Sequence, residues 1–306
     1  MTISRRGLIA AGLALDLSGR LSAAEPLDPK GQQFYAPTST GEPRGKPLPR
    51  RMARTIPLFK TPPGYPNALF VVPDGVWVAE QGSGGGRERI WLLDWDGAVR
   101  KTVTSESMDT SGVAYGNGML WVCANGETNQ GVYQTDLNSR TISHRQIPLG
   151  PPNRGGGCHG ATWHDGHLWV TANRARAILK IDPNHWTVSY LIPFALPDGL
   201  TRYQGCAVLD GSMYMVSGGE SKTYDEGKTN LIKYDLATGA IQEIIDFAPG
   251  SCDPHGLGVY RGKLIGCDSG DHPGWDKIYH TPGWGPQSSP TAGYVFSIEL
   301  GELTTV

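Results

Sequence analysis

Two histidines occupy the same place in a recurring pattern, His159-Gly160-Ala161-Thr162-Trp163 and His255-Gly256-Leu257-Gly258-Val259. Imidazole titrates closest to working pH, so the pair can act as general base and acid. Beside carboxylates the pair can instead hold a divalent cation: ring nitrogen suits zinc, copper or iron, and oxygen ligands widen the choice to manganese, magnesium or calcium. The candidate carboxylates are Asp253, just ahead of His255, and Glu80 and Asp268, which close apolar runs. No His-Glu-x-x-His, paired Cys-x-x-Cys or calcium-loop spacing accompanies them. The chemistry is therefore signalled by position within a repeat, and the elements carrying that repeat decide whether these side chains meet.

From residue 54 onward five segments share one template: residues 67–78, 111–122, 159–170, 204–215 and 255–265. A polar residue opens an apolar strand, a Gly turn follows, and a second strand has an aromatic or apolar centre. The small residues after the openers, at 68, 112, 160, 205 and 256, lie 44, 48, 45 and 51 positions apart, a period that belongs to propeller blades. Asp-Gly and Asn-Gly between apolar runs predict tight hairpins. A third strand closes on an acidic residue in every unit, at Asp94, Asp136, Asp182, Asp235 and Glu299, and a fourth follows, as at 141–149 and 240–247. Four strands per unit repeated radially predict an all-β chain with a single β-propeller. Five blades are visible, with six as the alternative count. Residues 54–59 followed by Pro62-Pro63 resemble the fourth strand 145–149 followed by Pro151-Pro152, yet precede the first unit. This N-terminal strand is expected to complete the last blade by pairing with 292–300, leaving no open edge, with 302–306 as a competitor for the same slot.

In a propeller the innermost strands line a central channel, so their openers face one another around one mouth: Asn67, Ser111, His159, Gln204 and His255. Second-strand ends add Glu80, Asn125, Asn173 and Asp268 to the same rim. The expectation is a site with His159, His255 and Glu80 as catalytic groups and His159, His255, Asp253 and Asp268 as metal ligands. Asn67, Ser111, Gln204, Asn125 and Asn173 would contact substrate there. An insertion at 266–292 brings His272, Trp275 and Trp284 as flat walls or a lid. The competing expectation is a water-filled channel whose polar ring satisfies backbone groups, under a passive cap. A smaller insertion, 217–229, faces the same rim. The glycines at 82–86 are read as a flexible loop, since no helix follows to make a phosphate cradle.

The five cysteines are an odd number, leaving at least one free. Cys123 and Cys267, at equivalent second-strand positions, read as buried small apolar residues, and a Cys158–Cys206 bridge across neighbouring blades is the candidate disulfide.

Lys and Arg number 27 against 29 Asp and Glu, a net charge of −2, which argues against nucleic acid and anionic membrane surfaces as partners. Arg5-Arg6 ahead of a short apolar run and small residues at 22–24 predict a twin-arginine-type signal peptide over 1–24. The run is too short to span a bilayer. The reading is a cargo of the twin-arginine export machinery, without a membrane anchor after cleavage, acting in the periplasm or secreted. Residues 25–53 read as an extended strap, and 54–306 as the propeller.

The His-Gly-led strand, the Asp-Gly hairpin and the Asp-terminated third strand resemble the streptogramin B lyase-like propellers over 54–300 and, more loosely, the NHL-repeat and gluconolactonase-like groups. The lyase resemblance implies a divalent metal ion, a His base and opening of a cyclic ester by elimination, with His159 and His255 matching and Glu80 or Asp268 as carboxylate partner. In that family the working histidines sit on adjacent blades, whereas here Gln204 occupies the unit between. The leading expectation is a metal-assisted lyase or hydrolase acting on a small cyclic ester or sugar-like molecule. Its rival is a non-catalytic scaffold binding a ligand or partner protein at the same face.

Overall fold

Four of the predicted hairpin turns adopt positive φ at both central residues, at Asn117-Gly118, Asp165-Gly166, Asp210-Gly211 and Arg261-Gly262. That geometry matches the twist of the strands it joins. The structure, a computed structural model, describes residues 14–15, 21–22, 48–82, 87–125, 130–149, 157–194, 202–218, 230–248, 254–268 and 292–304. The chain divides into two compact units, Met1–Ala36 and Pro37–Val306. Described in the first is one short antiparallel pair, β1 (Ala14–Leu15) with β2 (Leu21–Ser22).

The second unit begins with β3 (Arg50–Pro63), and four antiparallel meanders follow. They are β4 (Pro66–Val72), β5 (Gly75–Glu80), β6 (Glu88–Leu93) and β7 (Val99–Ser105); then β8 (Thr110–Gly116), β9 (Met119–Ala124), β10 (Gly131–Thr135) and β11 (Thr141–Arg145). Next come β12 (Cys158–His164), β13 (His167–Ala172), β14 (Ala177–Asp182) and β15 (Thr187–Pro193), then β16 (Arg202–Leu209), β17 (Ser212–Gly218), β18 (Asn230–Asp235) and β19 (Ile241–Phe247). Finally β20 (Gly256–Tyr260), β21 (Lys263–Asp268) and β22 (Ala292–Thr304) pair in order, and β22 pairs with β3. Among the described residues there is no helix, and none long and apolar enough to cross a membrane.

Burial explains the layering. The second strands β5, β9 and β13 are buried almost throughout, while the outer strands β11 and β15 alternate exposed and covered residues, as a sheet with one wet face must. Between neighbouring meanders run apolar seams. Trp77, Ile90 and Val103 pack with Leu120, Val122 and Tyr133; Trp121 and Val132 pack with Leu168, Val170 and Leu179. Trp169 and Ile178 pack with Tyr203, Met213 and Ile232; Tyr214, Leu231 and Ile245 pack with Leu257, Phe296 and Ile298. A further seam, of Ile265, Cys267 and Val295 with Leu69, Val78 and Trp91, joins the β20–β22 meander back to the first.

The acidic residue ending the third strand of the first four units has a local purpose. The Oδ1 atoms of Asp94, Asp136, Asp182 and Asp235 accept from backbone N–H groups two to four residues ahead, closing an Asx turn into the outer strand. At Asp182 the His185 ring and these N–H groups pull the carboxyl down to about 2.

β3 begins at Arg50, inside the segment read as a strap, because Arg50–Ala53 also pair in parallel with Ile244–Phe247. Arg50 meets Asp246 at 3.0 Å, and Arg51 pairs with Glu243. On its other side β3 lies antiparallel to β22, Ile56 opposite Ser297 and Arg50 opposite Thr304. Leu303 and Thr304 thus continue β22, where the sequence suggested a competing strand.

Candidate functional site

Asn67, Ser111, His159, Gln204 and His255 are all buried, at 2, 1, 4, 2 and 7 % exposure, on or beside the openings of β4, β8, β12, β16 and β20. Hydrogen bonds to backbone atoms and close backbone approaches join these openings one to the next. Asn67 Nδ2 donates to Thr110 O (3.0 Å), and Ser111 Oγ donates to Cys158 O (3.0 Å). The Thr171 hydroxyl accepts from Gly160 N–H and donates to Gln204 O (3.2 Å), and Gly205 N–H donates to His255 O (2.7 Å). Gly256 lies against Leu69 of β4.

Such contact demands glycine after the opener. A Cβ on Gly205 would stand 2.7 Å from Leu257 N, and one on Gly160 would stand 2.9 Å from Gly205 Cα; Gly112 and Gly256 are equally confined. The obstructing atoms are mostly backbone, which cannot swing aside. In the first unit Ala68 takes the equivalent place, buried in the seam with Trp77.

These polar side chains differ in what they have left to offer. Asn173 is engaged by the scaffold: its Nδ2 donates to Tyr203 O (3.0 Å) and its Oδ1 accepts from Tyr203 N–H (3.1 Å). Asn67 Oδ1, Gln204 Oε1 and Asn125 Oδ1 are buried acceptors without a hydrogen-bond partner among the described residues. The His255 and Tyr65 rings meet nearly at right angles, ring centres 6.0 Å apart.

Glu80 is 1 % exposed, and Arg89 grips both its oxygens, Nε and Nη2 at 2.6 Å each, with the Arg89 N–H adding a third contact at 2.9 Å. The guanidinium also lies over Trp91, 5.1 Å from the ring centre. Among the described residues no three His, Cys, Asp or Glu side chains gather as a metal group. Asp253, His272, Trp275 and Trp284 fall outside the described residues, as does the 269–291 part of the insertion; Asp268 is described only as the β21 residue opposite Tyr294.

Two groups escaped the sequence reading. Thr171, which ties the His159 and Gln204 strands, sits in an ordinary second-strand position and carries no signal. Glu88 is buried where β6 starts, and its carboxylate accepts from the N–H groups of Gly82 (2.6 Å), Asp109 (2.9 Å) and Thr110 (2.7 Å). Burial pushes its carboxyl above the ordinary 4.5, against the opposing pull of those hydrogen bonds.

The disulfide expectation is corrected. Cys158 bridges to Cys123, with Cα atoms 5.6 Å apart. Cys123 lies on β9 facing the seam with β12, while Cys206 is buried in the next seam among Tyr203, Met213 and Met215, where desolvation drives its thiol pKa far up.

No family model matches the chain, and no curated protein matches its sequence. Similarity appears in solved structures. Glutaminyl cyclase from Myxococcus xanthus aligns with a TM-score of 0.54 at 13 % identity, covering 85 % of this chain and all of that one. Virginiamycin B lyase from Staphylococcus aureus aligns at 0.40 and 15 % identity over 76 % of this chain and 65 % of that one, too distant to carry an argument. At 13 % identity the cyclase likeness speaks for the fold alone, a β-propeller, in agreement with the four-stranded meanders.

Proposed function

We propose that the chain is a five-bladed propeller, its ring closed by β3, that works as a metal-assisted lyase or hydrolase on a small cyclic ester or sugar-like substrate held at the channel mouth. The observation that supports this reading is the series of hydrogen bonds and close approaches linking the five inner-strand openings, on or beside which both histidines stand. The five apolar seams, the last returning to β4 and β5, favour five blades over six.

In this reading His159 or His255 takes the proton beside the ester carbonyl for elimination, or from water for hydrolysis. A divalent ion would polarise the carbonyl oxygen. Two imidazoles and an Arg-bound Glu80 are a thin ligand set, so the ion depends on Asp253 and Asp268 to complete it. Glu80 then acts through Arg89, and Trp275, Trp284 and His272 wall the substrate. The Cys123–Cys158 bridge supports an oxidising compartment, as export by the twin-arginine route to the periplasm or beyond would provide.

Metal analysis of the purified protein beside His159→Ala and His255→Ala tests the proposal. Bound metal lost in both variants, with their far-UV spectra unchanged, is expected. Wild-type protein without metal, or variants with unaltered metal and ligand handling, overturns it. The second reading, a non-catalytic binding scaffold, is favoured by one observation: both Glu80 oxygens are engaged by Arg89, which removes a carboxylate from chemistry.

A further inference from the structure

We infer that the mouth selects ligands by their hydrogen-bond donors, with Asn67 and Gln204 as the specificity-determining pair on either side of His255; the inference rests on the channel mouth being a small-molecule site. The strands β16, β20 and β4 are neighbours in that order, so Gln204 and Asn67 flank His255. Both side chains end in a buried carbonyl oxygen with no partner among the described residues. Asn67 cannot reverse its amide cheaply, because Nδ2 already donates to Thr110 O and a flipped amide would set oxygen against oxygen. The backbone carrying Gln204 is fixed in turn by the Thr171 hydroxyl on its carbonyl and by the Gly205 N–H bond to His255 O.

A buried acceptor must find a donor, and water supplies it when no ligand is bound. Whatever displaces that water must bring N–H or O–H groups of its own, or the two oxygens are left bare. A carboxylate or phosphate would place acceptor against acceptor and is excluded. The site therefore takes a ligand presenting at least two hydrogen-bond donors, and both a vicinal diol and a primary ammonium have that chemistry.

Saturation-transfer NMR on the full chain, with D-sorbitol, putrescine and succinate as probes, reads the selection. Transfer to sorbitol assigns the diol source, transfer to putrescine the ammonium source, and either supports the pair. Gln204→Met, of the same length without the acceptor, weakens the bound probe about tenfold. Gln204→Glu, which keeps the acceptor and adds charge, retains it and favours putrescine. Succinate binding as well as the donor probes, no donor probe binding, or Gln204→Met binding like wild type while Gln204→Glu is also unchanged would each overturn the inference. Failure of the enzymatic reading is separate: it shows as absent metal in a protein that still discriminates donors from anions.

Discussion

Gly205→Ala should push two inner strands apart. The new Cβ would lie 2.7 Å from Leu257 N and 3.0 Å from Gly256 C, about 0.7 Å and 0.4 Å inside ordinary contact, and these atoms belong to strand backbone. Relief requires β16 and β20 to part by roughly half an ångström or more, which stretches the 2.7 Å bond from Gly205 N–H to His255 O. Overpacking of this kind costs about 1–3 kcal/mol, and a weakened buried hydrogen bond adds about 1 kcal/mol, so a loss near 3 kcal/mol is expected. Gly211→Ala is the control. Its Cβ meets nothing within 4 Å, and the only cost is a side chain at φ +70°, about 1 kcal/mol. Urea denaturation of both variants, with equal m-values as the check on two-state behaviour, gives the comparison. If Gly205→Ala proves no less stable than Gly211→Ala, the inner strands do not touch as described, and the argument for a shared mouth goes with them.

Breaking the Cys123–Cys158 bridge, by reduction or by the double alanine variant, releases a loop of 35 residues; on the chain-entropy account the loss is about 4 kcal/mol, and an unchanged denaturation midpoint would contradict it. Glu88 makes stability depend on pH. Its folded carboxyl holds its proton more tightly than the unfolded chain does, so this group stabilises at pH below 4.5 and loses that contribution as pH rises through the raised folded value. Glu88→Gln should flatten the stability curve just above pH 4.5, and an identical slope in variant and wild type would refute the assignment.

The meanders were readable because hairpin chemistry is local: Asn117-Gly118 and Asp165-Gly166 need only their neighbours to turn. The closing acids of the third strands were visible as a repeat, though their purpose, capping the turn beyond, emerged only with the hydrogen bonds. What stayed hidden depends on registration between strands and between units. Glu80 looks like any rim carboxylate until Arg89, on the adjacent strand, closes over it. Cys123 looks like a core residue until the next meander brings Cys158 opposite. Thr171 and Glu88 act on backbone atoms of neighbouring meanders, and no side-chain pattern along the chain records a backbone partner.

The strand β3 has one partner from late in the chain on each side, β19 along Arg50–Ala53 and β22 along nearly its whole length. A nascent polypeptide leaves the ribosome in order, so β3 is made first among these three and waits through some two hundred residues of synthesis for either neighbour. The intervening meanders can each zip up as they emerge, but the sheet holding β3 is the last to be assembled. A prematurely terminated product would therefore present a fourteen-residue sticky edge, which gives quality-control proteases and chaperones a direct way to tell an unfinished molecule from a finished one.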